Sequence, residues 1–262
     1  MNAFQKELLS LLSEFDGICN EHGILYSALG GTLLGAVRER AMIPWDDDID
    51  VGMTRQNYKK LASLLLENKC NYKLVQSFTG GAAQFVKIDC SVEQKIKASI
   101  DVFVYDYISE NSLAQNLKCI GIIFLQAIQK NRKTLKLTSI REHGKLKVFL
   151  YRIICYCGLL LPKDKKRHWY EKFAQFAFDG EKTLIFLSND SYKYLKRIIP
   201  SYYMDNLVRL PFENKSIIAF QLFVGRLHNN VTLSDVASSA VQPARPGMLE
   251  ISVLPIASMA FR

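Results

Sequence analysis

Four carboxylates fall within five residues at Asp46, Asp47, Asp48 and Asp50. Apolar neighbours flank them at Ile43, Pro44, Trp45, Ile49 and Val51. A solvated acidic turn has no use for such neighbours. Asp48–Val51 alternates with the period of a strand, which puts Asp48 and Asp50 on one side and aims Ile49 and Val51 at a core. Two carboxylates on one face repel unless a cation sits between them. Oxygen ligands with room for water and phosphate suit Mg²⁺, with Mn²⁺ as the alternative ion. A calcium loop is a competing reading, because Asp46, Asp48 and Asp50 take its first, third and fifth positions. It fails where Gly and Glu are required, since the sixth and twelfth positions hold Val51 and Asn57.

The elements that must position these acids lie upstream. Tyr26–Arg38 reads as a short apolar run, a Gly30-Gly31 pair, Thr32, and a helix with Leu33, Leu34 and Val37 on one face. Glycines let backbone amides approach a phosphate, and a helix N-terminus offers N–H groups to an anion. A Gly-Gly pair alone is more often a turn. Followed by an Asp-x-Asp strand, it offers a phosphate cradle and a metal pair in one unit.

Leu29–Arg38 and Ile43–Val51 together resemble the signature of the LicD family, which is related to fukutin and fukutin-related protein. The resemblance implies a nucleotidyltransferase-like fold, with Gly-Gly followed by Asp-x-Asp and a third acid on a later strand. Ser99–Asp106 matches that later strand and supplies Asp101. Pro200–Lys215 is similar to a later family segment, so the likeness covers about residues 1–215. The implied activity is a Mg²⁺-dependent phosphotransferase. It would move a phospho-substituent, typically phosphocholine from CDP-choline, to a hydroxyl of a cell-surface glycan, a lipopolysaccharide or a teichoic acid precursor. The expected metal ligands are Asp46, Asp48, Asp50 and Asp101, and Asp48, Asp50 and Asp101 are the catalytic set, with Asp101 alternatively a base. Asp46 and Asp47 are either ligands or partners of the ligands. Gly30, Gly31, Thr32 and Arg38 would bind the donor phosphates. A choline headgroup wants an aromatic face, and Trp45 and Tyr105 are near in sequence, though each reads first as a packing residue. Nucleotidyl transfer to a small molecule or an RNA end is the rival enzyme reading. A degenerate, non-catalytic member is the third.

The fold class expected is α/β (α+β): a small mixed sheet flanked by helices, with a mostly helical C-terminal part. Residues 1–110 would form the catalytic core, 111–215 a basic helical region, and 216–262 a divergent tail. Helices are expected at 3–22, 31–39 and 55–68, strands near 24–28, 48–52, 72–77, 84–90 and 99–105, and mostly helix over 112–200. The family's Tyr-Gly-Asp-like motif is not found after residue 215, and charge thins out from Ser216 onward. The tail is therefore read as lying outside the core.

The chain has 262 residues, 49% of them hydrophobic, and a formal charge of +9. Six scattered cysteines lack zinc-ligand spacing and read as reduced thiols of a cytoplasmic protein. Asn2–His22 reads as an amphipathic helix rather than a leader. Basic residues gather between Lys118 and Arg197. Short apolar runs lie between them, which favours peripheral attachment to an anionic inner membrane face over nucleic acid.

Overall fold

The computed structural model describes residues 1–67, 71–76, 81–88, 98–130, 145–177, 180, 182–191 and 194–221. Helix α1 (Ala3–Glu21) opens on a capping box in which the Asn2 side chain and Gln5 satisfy each other's backbone N–H groups. Its apolar face, Leu8, Leu11, Leu12, Phe15 and Cys19, is buried, and the chain leaves it through Gly23 at φ +58°. Strand β1 (Ser27–Ala28) leads into α2 (Gly30–Arg38), then β2 (Asp50–Thr54) and α3 (Arg55–Glu67). Strands β3 (Tyr72–Gln76), β4 (Ala83–Lys87) and β5 (Ser99–Ile108) follow.

These strands form one mixed sheet in the order β1-β2-β5-β4-β3. The pairing of β2 with β5 is parallel, and β1–β2, β3–β4 and β4–β5 are antiparallel. Strand β5 is long enough to serve two partners in turn. Its first residues carry β4, and Tyr105–Ile108 carry β6 (Leu184–Leu187), which pairs with β7 (Ile198–Pro200). One face of the sheet closes the main core. Ile49, Val51 and Met53 of the β2 segment and Ile100, Val102 and Val104 of β5 pack there against α1, α2 and α3 residues. The mixed α/β class expected from the sequence is the one observed.

Three helices follow β5: α4 (Ser112–Gln129), α5 (Lys145–Leu159) and α6 (Lys163–Gln175). Lys118 of α4 is fully buried, with its ammonium 5.2 Å from the Phe186 ring centroid and 2.8 Å from the Phe176 carbonyl. Lys166 donates to the carbonyls of Ile128 and Gly158, tying the ends of α4 and α5 together. Among the described residues, the expectation of helix over most of 112–200 holds as far as α6. Residues 184–187 and 198–200 are instead strands of the same sheet, because the apolar run at Leu184 completes the far end of β5. A 3₁₀ turn (Ser201–Asp205) then leads to the hairpin β8 (Leu207–Phe212) and β9 (Lys215–Phe220).

The expected tail boundary at Ser216 falls inside β9. Ile217, Ala219 and Phe220 have no exposed surface, and the Phe220 N–H donates to the Ser27 hydroxyl at 3.1 Å. The low charge after Ser216 is, for these residues, the composition of a buried strand. Residues 222–262 lie outside the described residues, as do Cys70, Cys90 and residues 131–144 of the expected helical stretch. Cys19, Cys119, Cys155 and Cys157 are free thiols, the first three buried.

Candidate active site

Asp50 opens β2 and sits in register with Asp101 of the parallel strand β5. Neighbours in register project to the same side, so the two carboxylates lie side by side on the face opposite the main core. Gln84 of β4 is Asp101's other neighbour in register, and its amide donates to Asp101 Oδ1 at 3.1 Å. The expected strand over 48–52 begins two residues later, at Asp50. Asp48 stands in the extended segment before it, exposed, while Ile49 next to it is fully buried.

The glycine turn closes over these acids. Gly30 has φ +52°, and a Cβ there would come within 2.9 Å of Asp50 Oδ2. A Cβ on Gly31 would come within 2.5 Å of Asp46 Oδ2. Both positions therefore have to be glycine for the carboxylates to approach the start of α2. That start carries no side-chain cap, so its first N–H groups belong to backbone packed against acids. Thr32 is buried, and its hydroxyl accepts from the Asp50 N–H at 3.0 Å. The Asp50 carbonyl accepts from the Leu29 N–H at 3.0 Å. Thr32 thus ties the turn to the strand, where the sequence pattern suggests a phosphate cradle. Arg38 is exposed in the last turn of this nine-residue helix, about 12 Å along the axis from Gly30.

A residue overlooked in the sequence fixes the acidic loop. Gln5 of α1 is 2% exposed, and its amide nitrogen lies 3.3, 3.0 and 2.9 Å from the carbonyls of Ile43, Pro44 and Asp46. Carboxylate oxygens of Asp46, Asp47 and Asp48 lie within 4.8 Å of one another. Asp46 Oδ2 is buried with no hydrogen-bond partner. Burial first, then the charges of Asp48 and Asp47, push the Asp46 carboxyl up to about 6. Burial also raises Asp48, against a hydrogen bond from Asp46. Asp50 is raised well above the usual range by burial, then by Asp48, Asp101 and Asp190. Asp101 is raised by burial and by Asp48, against the hydrogen bond from Gln84. Five acids in one field with an orphaned buried oxygen fit a divalent cation, since a hard ion would satisfy the oxygen and relieve the repulsion. The tightest set is Asp46, Asp47 and Asp48, while Asp50 and Asp101 form the adjoining pair on the sheet.

Asp190 was not singled out from the sequence. It follows β6, is 4% exposed, and is raised to about 6 by burial, against its bond to the Ser191 N–H and the charge of Arg197. Its charge reaches Asp50. Gln126 of α4 donates to its carbonyl at 2.9 Å. Arg197 stacks 3.9 Å over the Tyr194 ring, and its Nη2 is buried without a hydrogen-bond partner. Toward the opposite end of β2 and β5, Arg55 grips Asp106 in a bidentate pair, and Ser188 joins both. Asn189 donates to the Val102 carbonyl and accepts from the Val104 N–H, so its amide fixes the Asp190 loop to β5. Of the two aromatics considered for a headgroup, Tyr105 is 6% exposed and packs in the core, whereas Trp45 is 73% exposed beside the acids. The packing reading fails for Trp45.

Residues 23–145 match the family described as LicD/FKTN/FKRP, nucleotidyltransferase domain. The chain carries a LicD-family domain. That span contains the glycine turn, the acidic loop and both strand acids, while Gln5 and Asp190 lie outside it. A lipopolysaccharide cholinephosphotransferase named LicD, from Haemophilus influenzae, is 32% identical over 111 residues, covering 37% of this chain and 41% of that protein. An uncharacterized protein of Rickettsia prowazekii is 36% identical over 58 residues, 22% of each chain. One of Rickettsia typhi is 38% identical over 50 residues, 19% of this chain and 16% of its own. The chain thus spans about two fifths of the length of the LicD protein it matches, and less of the other two.

Proposed function

We propose that this chain is a transferase moving phosphocholine from CDP-choline to a hydroxyl of a lipopolysaccharide or related cell-surface glycan precursor. The observation that carries the reading is the acidic cluster packed against the glycine turn, inside the domain shared with a lipopolysaccharide cholinephosphotransferase. Asp46, Asp48 and Asp50, with Asp47 beside them, are the residues that would hold Mg²⁺, which leaves Asp101 as the base. Bound there, the ion would offset the charge of a donor diphosphate and polarise its phosphoryl group. The remaining work falls to the chain. Gly30 and Gly31 leave the space in which a phosphate meets the start of α2. Asp101, held by Gln84 and kept basic by its burial, takes the proton of the acceptor hydroxyl. The hydroxyl oxygen then bonds to the phosphocholine phosphorus, the bond to CMP breaks, and CMP leaves with its electron pair. Trp45 offers the exposed aromatic face that a quaternary ammonium prefers.

Nucleotidyl transfer is the second reading, favoured by the description of the matched domain. The two differ in which phosphorus is attacked. A thermal-shift screen of CDP-choline, CDP and nucleoside triphosphates, with and without Mg²⁺, separates them. The first reading expects Mg²⁺-dependent stabilisation that is strongest with CDP-choline. Stabilisation by triphosphates with none by CDP-choline would transfer the assignment to the second.

A further inference from the structure

The helices appended to the sheet carry apolar surface that the catalytic site does not use. Leu113, Leu117, Ile120 and Phe124 are exposed along α4 at spacings of four, three and four. That spacing keeps them on one stripe about 16 Å long. No charged side chain of α4 is exposed, since its one cation, Lys118, is buried. Helix α5 repeats the arrangement with Phe149, Ile153, Tyr156 and, just past its end, Leu160, again at four, three and four. The helices pack on each other through Ala127 and Cys155, and a Cβ on Gly158 would run into the backbone of Ile128.

The charge next to these helices in sequence is one-sided. Residues 130–147, which join the two helices in sequence, include seven Lys or Arg and a single acid, Glu142. Beyond α5, the exposed start of α6 presents Lys163, Lys165 and Arg167 against Asp164, with Trp169 exposed one turn later. Apolar stripes bordered by cations and an interfacial tryptophan are the pattern of helices that lie in a lipid headgroup layer. None of the helices among the described residues is long and apolar enough to cross a membrane. A second copy of the chain is the poorer occupant, because it would bring two sets of the same cations to one interface.

We infer that the exposed stripes of α4 and α5 dock the protein on an anionic lipid surface, with the basic start of α6 drawing it there. This inference does not depend on the transferase reading, and vesicle binding reads it without any turnover. The test uses the full chain sedimented with vesicles of phosphatidylcholine alone or mixed in equal parts with phosphatidylglycerol, at low and high salt. Binding is expected to the mixed vesicles only, weakening as salt rises. Leu117→Glu and Phe149→Glu, both at exposed positions, should each weaken it by about tenfold or more. The double variant Lys163→Gln/Lys165→Gln should weaken it and flatten the salt dependence. Melting temperatures check the fold, and Leu113→Glu, at the most exposed stripe position of α4, replaces any variant that melts early. Unchanged binding in the stripe variants, or equal binding to both vesicle types, overturns the inference. A dimer in gel filtration that the same substitutions dissociate, without vesicle binding, would assign the stripes to a second copy and overturn it too.

Discussion

Replacing Asp190 by asparagine should stabilise the protein at neutral pH, although it removes a buried charge beside a buried arginine. The Asp190 carboxyl is moved from the usual 3.8 to about 6, mainly by burial. Unfolded, the group releases its proton near 3.8, whereas folded it holds the proton to about 6. Between those values the native state binds more protons, so stability falls as pH rises through the window and stays low above it. At about 1.36 kcal/mol per pH unit the loss is about 3 kcal/mol. An asparagine side chain cannot ionise, and its carbonyl can still accept from the Ser191 N–H, which in the wild type lies 2.6 Å from Asp190 Oδ1. The Asp190→Asn variant should therefore match the wild type near pH 3.8 and exceed it by about 3 kcal/mol at pH 8, or about 6–12 °C in melting temperature. Urea melts of both proteins across that range, with chelator present, measure the difference. Equal or lower stability of Asp190→Asn at pH 8, or a difference that does not change with pH, would refute the burial argument.

Three other outcomes follow from the geometry. Gly31→Ala sets a methyl 2.5 Å from Asp46 Oδ2, so the acid must shift, and kcat should fall by about 100-fold with the melting temperature little changed. Gln5→Ala leaves the carbonyls of Ile43, Pro44 and Asp46 without their amide partner. It should cost about 1–3 kcal/mol in urea melts and lower activity by loosening the acidic loop. Ending the chain at Lys215 removes Ile217, Ala219 and Phe220 from the core. At about 2–5 kcal/mol for each large side chain lost, cooperative melting should disappear by circular dichroism, and a retained sharp transition would mean β9 is dispensable.

The centre of the site was legible because its signals are local. Ile49 and Val51 declare which side of β2 is buried, and that places Asp50 on the other. The same alternation around Asp101 places it beside Asp50, since both strands share a core. What was not legible depends on distant contacts. The amphipathic period of α1 marks Gln5 only as a residue near its start, and its three partners lie about forty residues away in the chain. Asp190 follows four apolar residues that suit a helix or a strand equally, and only the free end of β5 decides for a strand. The Thr32 hydroxyl accepts from the Asp50 N–H, a contact across eighteen residues that the local pattern does not announce. The drop in charge after Ser216 has two causes in principle, a foreign tail or a buried strand, and composition cannot separate them without the partner strand β8.

The central claim is that the acids at the glycine turn carry phosphocholine transfer. The most direct measurement follows CMP release from CDP-choline by phosphorus NMR, with Mg²⁺ and lipopolysaccharide acceptor, in wild-type protein and in Asp50→Asn. The account predicts CMP and a new phosphodiester signal with the wild type. It predicts neither with Asp50→Asn, whose melting temperature is unchanged or raised because a buried repulsion is gone. Turnover by Asp50→Asn at the wild-type rate would contradict it.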